Sequence, residues 1–165
     1  MIIRNRFAAA VFCGSIAIFI NSFLLYLGGV LGVDTGHGGL LKLLSKIIGI
    51  YPIAWGKGYL SGVTSFTGKY WFHIAVGIFM AFFYVYIFDV ILGKNMKPIL
   101  KGLIYALLVW LANSIIVLPA LGYGFAGHLK IPASGMVYYA FAHTAFFVLL
   151  AVLYGFVHKY GSSLD

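Results

Sequence analysis

Long apolar stretches alternate with short polar segments along the chain, and four of them approach or exceed the length of a membrane span. They cover residues 7–31, 70–88, 102–121 and 131–157, and none contains Asp, Glu, Lys or Arg. A helix needs about 20 residues to cross about 30 Å of hydrocarbon, and backbone groups in lipid must hydrogen-bond within their own segment. The pattern predicts four transmembrane helices.

A shorter amphipathic helix is predicted between the first two spans, over about residues 38–51. Two lysines occupy one side of its helical wheel, Lys42 and Lys46. Apolar residues share the other side: Leu40, Leu41, Leu44, Ile47, Ile48 and Tyr51. This arrangement is typical of a helix that lies in the membrane interface with its lysines toward the headgroups.

The composition leads to the same fold class. Hydrophobic residues make up 63% of the 165 positions and charged residues only 8%, which is more apolar surface than one soluble domain can bury. We expect an all-α integral membrane protein, with a single membrane domain over residues 1–165 and the lipid bilayer as its surroundings. The one cysteine, Cys13, lies inside the first span and is interpreted as a small core residue.

The basic residues lie at span ends and in loops, although the formal charge is +8. Such a distribution fixes the orientation of a membrane protein and does not favour nucleic-acid binding. Two leading arginines and a lysine cluster over residues 94–101 favour a cytoplasmic location for both termini. At that face, either Asp89 pairs with Lys159 or the two side chains are solvated separately.

An internal duplication relates the two halves of the chain. Asn21 recurs as Asn113, an offset of 113 minus 21, or 92, and His73 recurs as His143, an offset of 143 minus 73, or 70. Each half contains two spans, so both halves have the same orientation in the bilayer. The fold class predicted is four transmembrane helices arranged as two parallel two-helix repeats, related by an axis along the membrane normal.

Small residues form a stripe on the first span. Ala10, Gly14, Ala17 and Asn21 follow the spacing of one helical face, where a neighbouring backbone can approach closely. An amide near mid-membrane is costly unless it bonds to another helix. We therefore expect this face to point inward.

The second span has a similar stripe that begins with a histidine. His73, Gly77, Ala81 and Tyr84 lie on one face, and His143 occupies the matching point of the fourth span. An ionisable group inside a span indicates a functional site by default, because it is expensive there unless paired. Two opposed histidines could ligate a metal ion or haem iron, or pass protons. The alternative is an imidazole that bonds to a backbone carbonyl and has no ligand.

Three further polar residues lie in turns expected on one side of the membrane: Asp34, His37 and His128. If the loops fold over the helix ends, these residues could join His73 and His143 in a site for a divalent metal. The alternative is an ordinary polar turn, because no CxxC, HExxH or EF-hand pattern supports the metal site.

A glycine pattern follows the third span. Gly122, Gly124 and Gly127 spell G-x-G-x-x-G, a sequence that binds dinucleotides when a strand precedes it and a helix follows. Here a membrane span precedes it. We interpret the glycines as the turn by which the third span leaves the membrane.

Several short motifs between the second and fourth spans resemble the YagU-like group of small bacterial inner-membrane proteins and related four-span families. They are His73 through Gly77, Lys97-Pro98, Leu118-Pro119, Gly122-x-Gly124 and His143. The resemblance implies a multi-pass protein of the bacterial inner membrane with a loose association with acid tolerance. It carries over no catalytic residues.

These observations leave three hypotheses for function, none of them enzymatic. In the first, His73 and His143 are the principal ligands of a small cation, a metal ion or a proton, in an extracytoplasmic vestibule, and His37, His128 and Asp34 assist. In the second, the chain is an accessory subunit that packs in a larger membrane complex, or a homodimer. In the third, the two span histidines are axial ligands of a b-type haem.

Overall fold

A computed structural model describes residues 3, 5–36, 39–49 and 65–161 of the chain. Within these ranges all regular structure is helical. Four helices are long and apolar enough to cross a membrane: Arg6–Val30, Thr67–Leu92, Pro98–Ala120 and Ala133–Val157. The prediction of an all-α fold is therefore confirmed for the described residues, and so is the prediction of four helices long and apolar enough to span a membrane.

The first two helices are α1, Arg6–Val30, and α2, Gly39–Ile47. Asn5 caps α1, because its side-chain oxygen accepts a hydrogen bond of 2.8 Å from the backbone N–H of Phe7. Helix α2 falls inside the segment predicted to be amphipathic, and it buries Leu41. Part of that prediction, at residue 38 and over residues 50–51, lies outside the described residues.

The second spanning helix, α3, has three consecutive parts: Phe66–Phe83, a π-helical turn at Tyr84–Phe88, and Asp89–Leu92. Ser65 caps it by accepting from the backbone N–H of Gly68 at 3.1 Å. Gly93 follows the last turn with φ 72°, a conformation that glycine adopts without the steric cost of a side chain.

The third spanning helix, α4, comprises Pro98–Ala112, a π-helical turn at Asn113–Val117, and Leu118–Ala120. Pro98 suits the first turn because its nitrogen needs no helical partner there. Pro119 is different, because its ring clashes with a carbonyl four residues earlier in a regular helix. The N–H of Leu118 bonds to the carbonyl of Asn113, and this wider turn accommodates the proline.

The fourth spanning helix, α5, is Ala133–Gly161, and it packs along both α1 and α4. Helix α1 in turn packs along α3. Helix α4 approaches the backbone of α5 closely at Gly102, where an added Cβ would lie 2.6 Å from Cα of Val148. At Gly14 of α1, an added Cβ would lie 2.6 Å from Cβ of Ala81 on α3.

The stripe of small residues on α1 does point inward, as predicted. Ala10 and Ala17 are fully buried, Gly14 is buried against α3, and Asn21 is 1% exposed. The matching face of α3 is also inward, since Ala81 and Tyr84 are buried. The small side chains at these positions let the helices approach and gain van der Waals contact, which drives helix association in lipid.

Helices α3, α4 and α5 meet through large aromatic side chains, which we call the aromatic plug: Phe83, Tyr84, Phe88, Tyr105 and Phe147. Tyr105 is its centre. Its ring centroid lies 4.6 Å from that of Phe88 and 4.5 Å from that of Phe147. Its hydroxyl donates to the backbone carbonyl of Met80 at 3.1 Å, which ties α4 to α3.

An ion pair lies beside the aromatic plug. Lys101 donates from Nζ to Oδ1 of Asp89, and the lysine is 6% exposed. The sequence suggested Lys159 as a partner for Asp89 and grouped Lys101 with basic residues near a loop. The structure instead places Lys101 inside the first turns of α4, because α4 begins at Pro98 and α3 continues past Phe88.

Candidate functional site: a polar cluster in a cavity between the helices

A cavity of about 980 Å³ lies between the four spanning helices and α2. Its walls are largely apolar and include Met80 and Phe147, both of which also contact Tyr105 of the aromatic plug. Five polar side chains on its wall form what we call the polar cluster: Asn21, His73, Asn113, Tyr139 and His143. The cluster brings together side chains from α1, α3, α4 and α5.

Asn21 connects three helices. Its Nδ2 donates to the backbone carbonyl of Ala142 on α5 at 2.7 Å, and its Oδ1 lies 2.8 Å from Nε2 of His73 on α3. A carbonyl only accepts, so the contact with Ala142 fixes which end of the amide faces α5. The Oδ1 atom therefore faces His73 and can only accept, which assigns the proton to Nε2 of the imidazole.

The other half of the cluster is formed by Asn113, Tyr139 and His143. Asn113 donates from Nδ2 to the hydroxyl of Tyr139 at 3.0 Å. The Tyr139 ring packs on the His143 ring with centroids 3.9 Å apart. Nδ1 of His143 lies 2.9 Å from the carbonyl of Tyr139, one helical turn back, so Nδ1 carries the proton. His143 thus makes the bond to a backbone carbonyl that the sequence offered as an alternative to a ligand.

Each imidazole uses one nitrogen and leaves the other without a partner among the described residues. In a neutral imidazole one nitrogen carries the proton and the other carries a lone pair, so the remaining nitrogen of each ring is an acceptor. In His73 this atom is Nδ1, and in His143 it is Nε2. Both residues line the cavity. The site therefore offers two nitrogen acceptors to whatever occupies it.

Two hydroxyl groups add to this set. The hydroxyl of Tyr139 accepts from Asn113, and its own proton finds no acceptor in the described part of the chain. Ser22 also lines the cavity, and its Oγ is a buried atom without a hydrogen-bond partner in the same ranges. Buried polar groups usually have partners, so these open positions indicate a place for a ligand.

The structure brings together two of the five predicted metal ligands, His73 and His143. Asp34 is exposed and accepts at Oδ1 from the backbone N–H of Gly36 at 2.9 Å. His128 is exposed, and its Nδ1 lies 2.9 Å from the carbonyl of Phe125. His37 lies outside the described residues.

Asp34 and His128 therefore have the local contacts of polar turns, and the structure does not bring them into the cavity. Across the described ranges, no group of three or more His, Cys, Asp or Glu side chains could hold a metal ion. A metal in this part of the chain would have two protein ligands, His73 and His143, where a stable site usually has at least three.

Helix α2 covers one end of the cavity, which Gly39, Leu40 and Leu41 line. Lys46 donates to the carbonyl of Ala120 at the end of α4 at 2.6 Å, and Lys42 donates to the hydroxyl of Tyr123 in the following turn at 3.2 Å. The sequence predicted that these lysines point toward headgroups. That orientation stays a prediction. The contact of Lys46 has a local cause, because the last carbonyls of a helix lack helical donors and attract cations.

The turn after α4 has the conformation that its glycines allow. Gly122, Gly124 and Gly127 have φ values of 78°, 72° and 86°, and the nearby Ala126 has φ 52°. The N–H of Tyr123 bonds back to the carbonyl of Leu118 at 2.9 Å, which ends the helix. The interpretation of the G-x-G-x-x-G sequence as an exit turn is therefore confirmed.

Tyr139 is the site residue that the sequence argument missed. It lies four positions before His143, on the same face of α5, and this spacing is the signal that could have identified it. The hydrogen bond from Asn113 could not be predicted in the same way, because it depends on the π-helical turn that begins at that residue.

No protein-family model, curated protein or solved structure matches this chain. The resemblance to the YagU-like group therefore stays a prediction.

Proposed function

We propose that this protein is a non-enzymatic, multi-pass protein of the bacterial inner membrane that holds a small amphipathic organic molecule in the cavity. The observation that carries the proposal is a cavity of about 980 Å³ with largely apolar walls and a small number of polar side chains, among them the polar cluster. Ligand sites for organic molecules commonly have this character, with volumes of roughly 300–1,000 Å³ and a few polar groups that fix orientation.

The polar cluster supports an organic ligand better than a bare ion. Metal ions require several converging ligand atoms at short distance, and the described residues supply only two imidazoles at the cavity. The apolar walls include Trp110 and Phe146. Walls of this kind stabilise a ligand by burying its apolar surface, at about 25 cal/mol per Å².

The duplication and the orientation are part of the same proposal. The residues matched by the duplication, Asn21 with Asn113 and His73 with His143, all line the cavity, which supports two parallel two-helix repeats. The basic residues near the other end of the bundle support cytoplasmic termini. The cavity would then open in the extracytoplasmic half, with α2 in the interface above it.

Filling the cavity tests this proposal. Val76 lines the cavity, whereas Val137 lies on the outer surface of α5 and is 70% exposed. We expect wild-type protein and the Val137→Trp variant to retain a stoichiometric small molecule after mild-detergent extraction. The Val76→Trp variant should lose at least about 90% of it, because the indole occupies the site. Mass spectrometry of denatured samples measures the released molecule.

Two results would contradict the proposal. One is retention of the same molecule by both variants, and the other is the absence of any retained molecule in wild-type protein that remains folded. A stoichiometric protein partner in place of a small molecule would favour the accessory-subunit hypothesis.

A second candidate keeps the two histidines as ligands of a cation or of haem iron. The observation that favours it is the pair of uncommitted ring nitrogens on one cavity, Nδ1 of His73 and Nε2 of His143. Elemental analysis and the Soret absorption of the purified protein test it, after expression with adequate metal and haem. The second candidate requires that the His73→Ala plus His143→Ala double variant lose the metal or the colour.

A further inference from the structure

The open hydrogen-bonding positions of the cavity identify the chemistry of its ligand, if the cavity binds an organic molecule as proposed above. Nδ1 of His73 and Nε2 of His143 are acceptors, and so is Oδ1 of Asn113, for which the described residues supply no donor. The hydroxyls of Tyr139 and Ser22 can either donate or accept. Acceptors therefore predominate among the open positions of the polar cluster and Ser22, whereas Lys69, which has an interaction of its own, is a cationic donor on the same wall.

We propose that the ligand is a lipid-soluble hydroquinone, a flat ring with two hydroxyl groups and an apolar tail. Its two O–H groups would donate to the two imidazole nitrogens, one on α3 and one on α5. This arrangement uses both open nitrogens at once, and it does so with neutral groups, which are far less costly inside a membrane than charged ones. The proposal concerns binding alone and includes no electron transfer.

The oxidised form of the same ring would fit less well. A quinone has two carbonyl oxygens and no donor, so its oxygens would face the lone pairs of His73 and His143. Such a ligand leaves both nitrogens buried without partners, and an unsatisfied buried polar group is penalised strongly. The site should therefore prefer the reduced form over the oxidised form.

The walls of the cavity favour a flat ring over an aliphatic diol. Tyr139 already packs on His143 with ring centroids 3.9 Å apart and planes 35° from parallel. Trp110, Phe146 and Phe147 provide further aromatic surface around the cavity. Aromatic rings gain from offset and edge-to-face contacts with such side chains beyond the burial of their area.

Calorimetric titration with three matched probes tests this inference. The probes are a short-chain alkyl hydroquinone, kept reduced under anaerobic conditions, its dimethyl ether, and the corresponding quinone. Detergent micelles take up all three, so the heat measured with the Val76→Trp variant is subtracted. We expect the hydroquinone to bind at least about tenfold more tightly than either the ether or the quinone, since a site that hydrogen-bonds a hydroxyl rejects an analogue without one.

Histidine variants show whether the preference for the hydroquinone depends on His73 and His143. His73→Phe and His143→Phe should each reduce the preference for the hydroquinone over its ether by at least about fivefold. His128→Phe is the matched control, because His128 is exposed in the turn before α5. This variant should prefer the hydroquinone over its ether as strongly as wild-type protein does. Equal effects of all three variants would overturn the inference.

The probes also separate this inference from the proposed function. One outcome is that the ether or the quinone binds to wild-type protein as tightly as the hydroquinone, with all three binding more tightly than to the Val76→Trp variant. In that case the cavity binds organic molecules but the hydroquinone assignment is wrong. If no probe gives more heat with wild-type protein than with the Val76→Trp variant, and wild-type protein retains no molecule on purification, both the hydroquinone assignment and the proposed function fail.

Discussion

Replacing Lys101 with Met is expected to lower the free energy of unfolding by about 3–5 kcal/mol, because it leaves the Asp89 carboxylate without its partner in a largely buried position. The two side chains are 7% and 18% exposed. The pair also joins α3 to α4 at the end of the bundle where these helices otherwise meet through aromatic rings. Unfolding of the purified protein in mixed micelles, followed by circular dichroism while the fraction of denaturing detergent rises, measures the change.

Two further variants isolate the ion pair. Lys97→Met removes an exposed lysine four positions earlier on the same segment and should change the free energy of unfolding by less than about 0.5 kcal/mol. The double variant Asp89→Asn plus Lys101→Met should recover most of the lost stability, since no charge is then left buried alone. A double variant as unstable as Lys101→Met alone would refute this account of the pair.

The second large effect is expected at Gly102. An added Cβ there would lie 2.6 Å from Cα of Val148 and 2.8 Å from the carbonyl oxygen of Phe147. Both atoms belong to the backbone of α5 and cannot move aside as a side-chain tip could. Gly102→Leu should therefore destabilise the bundle by more than about 3 kcal/mol, measured by the same micelle titration.

Gly29 offers a matched control on another spanning helix, because no atom of the described residues lies within 4 Å of a Cβ added there. Gly29→Leu should leave the unfolding transition within about 0.5 kcal/mol of wild type. A Gly102→Leu protein with the stability of Gly29→Leu would mean that α4 and α5 do not pack as closely as described.

The sequence predicted the four spanning helices because hydrophobic length is set by the bilayer and needs no tertiary information. The sequence prediction was less accurate at the ends of these helices. Absence of charge was used to end the second span at residue 88 and to start the third at 102, yet α3 continues to Leu92 and α4 begins at Pro98. Charged residues can lie inside a span when another helix pairs them, as Lys101 and Asp89 do, and pairing is a property of packing.

The candidate site was also predictable only in part. The positions of His73 and His143 on inward faces followed from helical spacing, and both line the cavity. The loop residues Asp34 and His128 could not be placed, because the path of a turn depends on backbone conformations such as that of Gly36, with φ 67°. The volume of the cavity depends on how α3 and α4 separate, which a sequence pattern does not encode.

The central claim is that His73 and His143 each bond through one nitrogen and present the other to a shared cavity. Nitrogen-15 spectra of protein labelled at histidine test it most directly, with signals assigned by single His→Gln variants. We predict a proton on Nε2 of His73 and on Nδ1 of His143, and we predict that Val76→Trp shifts the unprotonated nitrogen of both rings but leaves His128 unchanged. A proton on the opposite nitrogen of either ring, or signals of both rings that do not respond when the cavity is filled, would contradict the account.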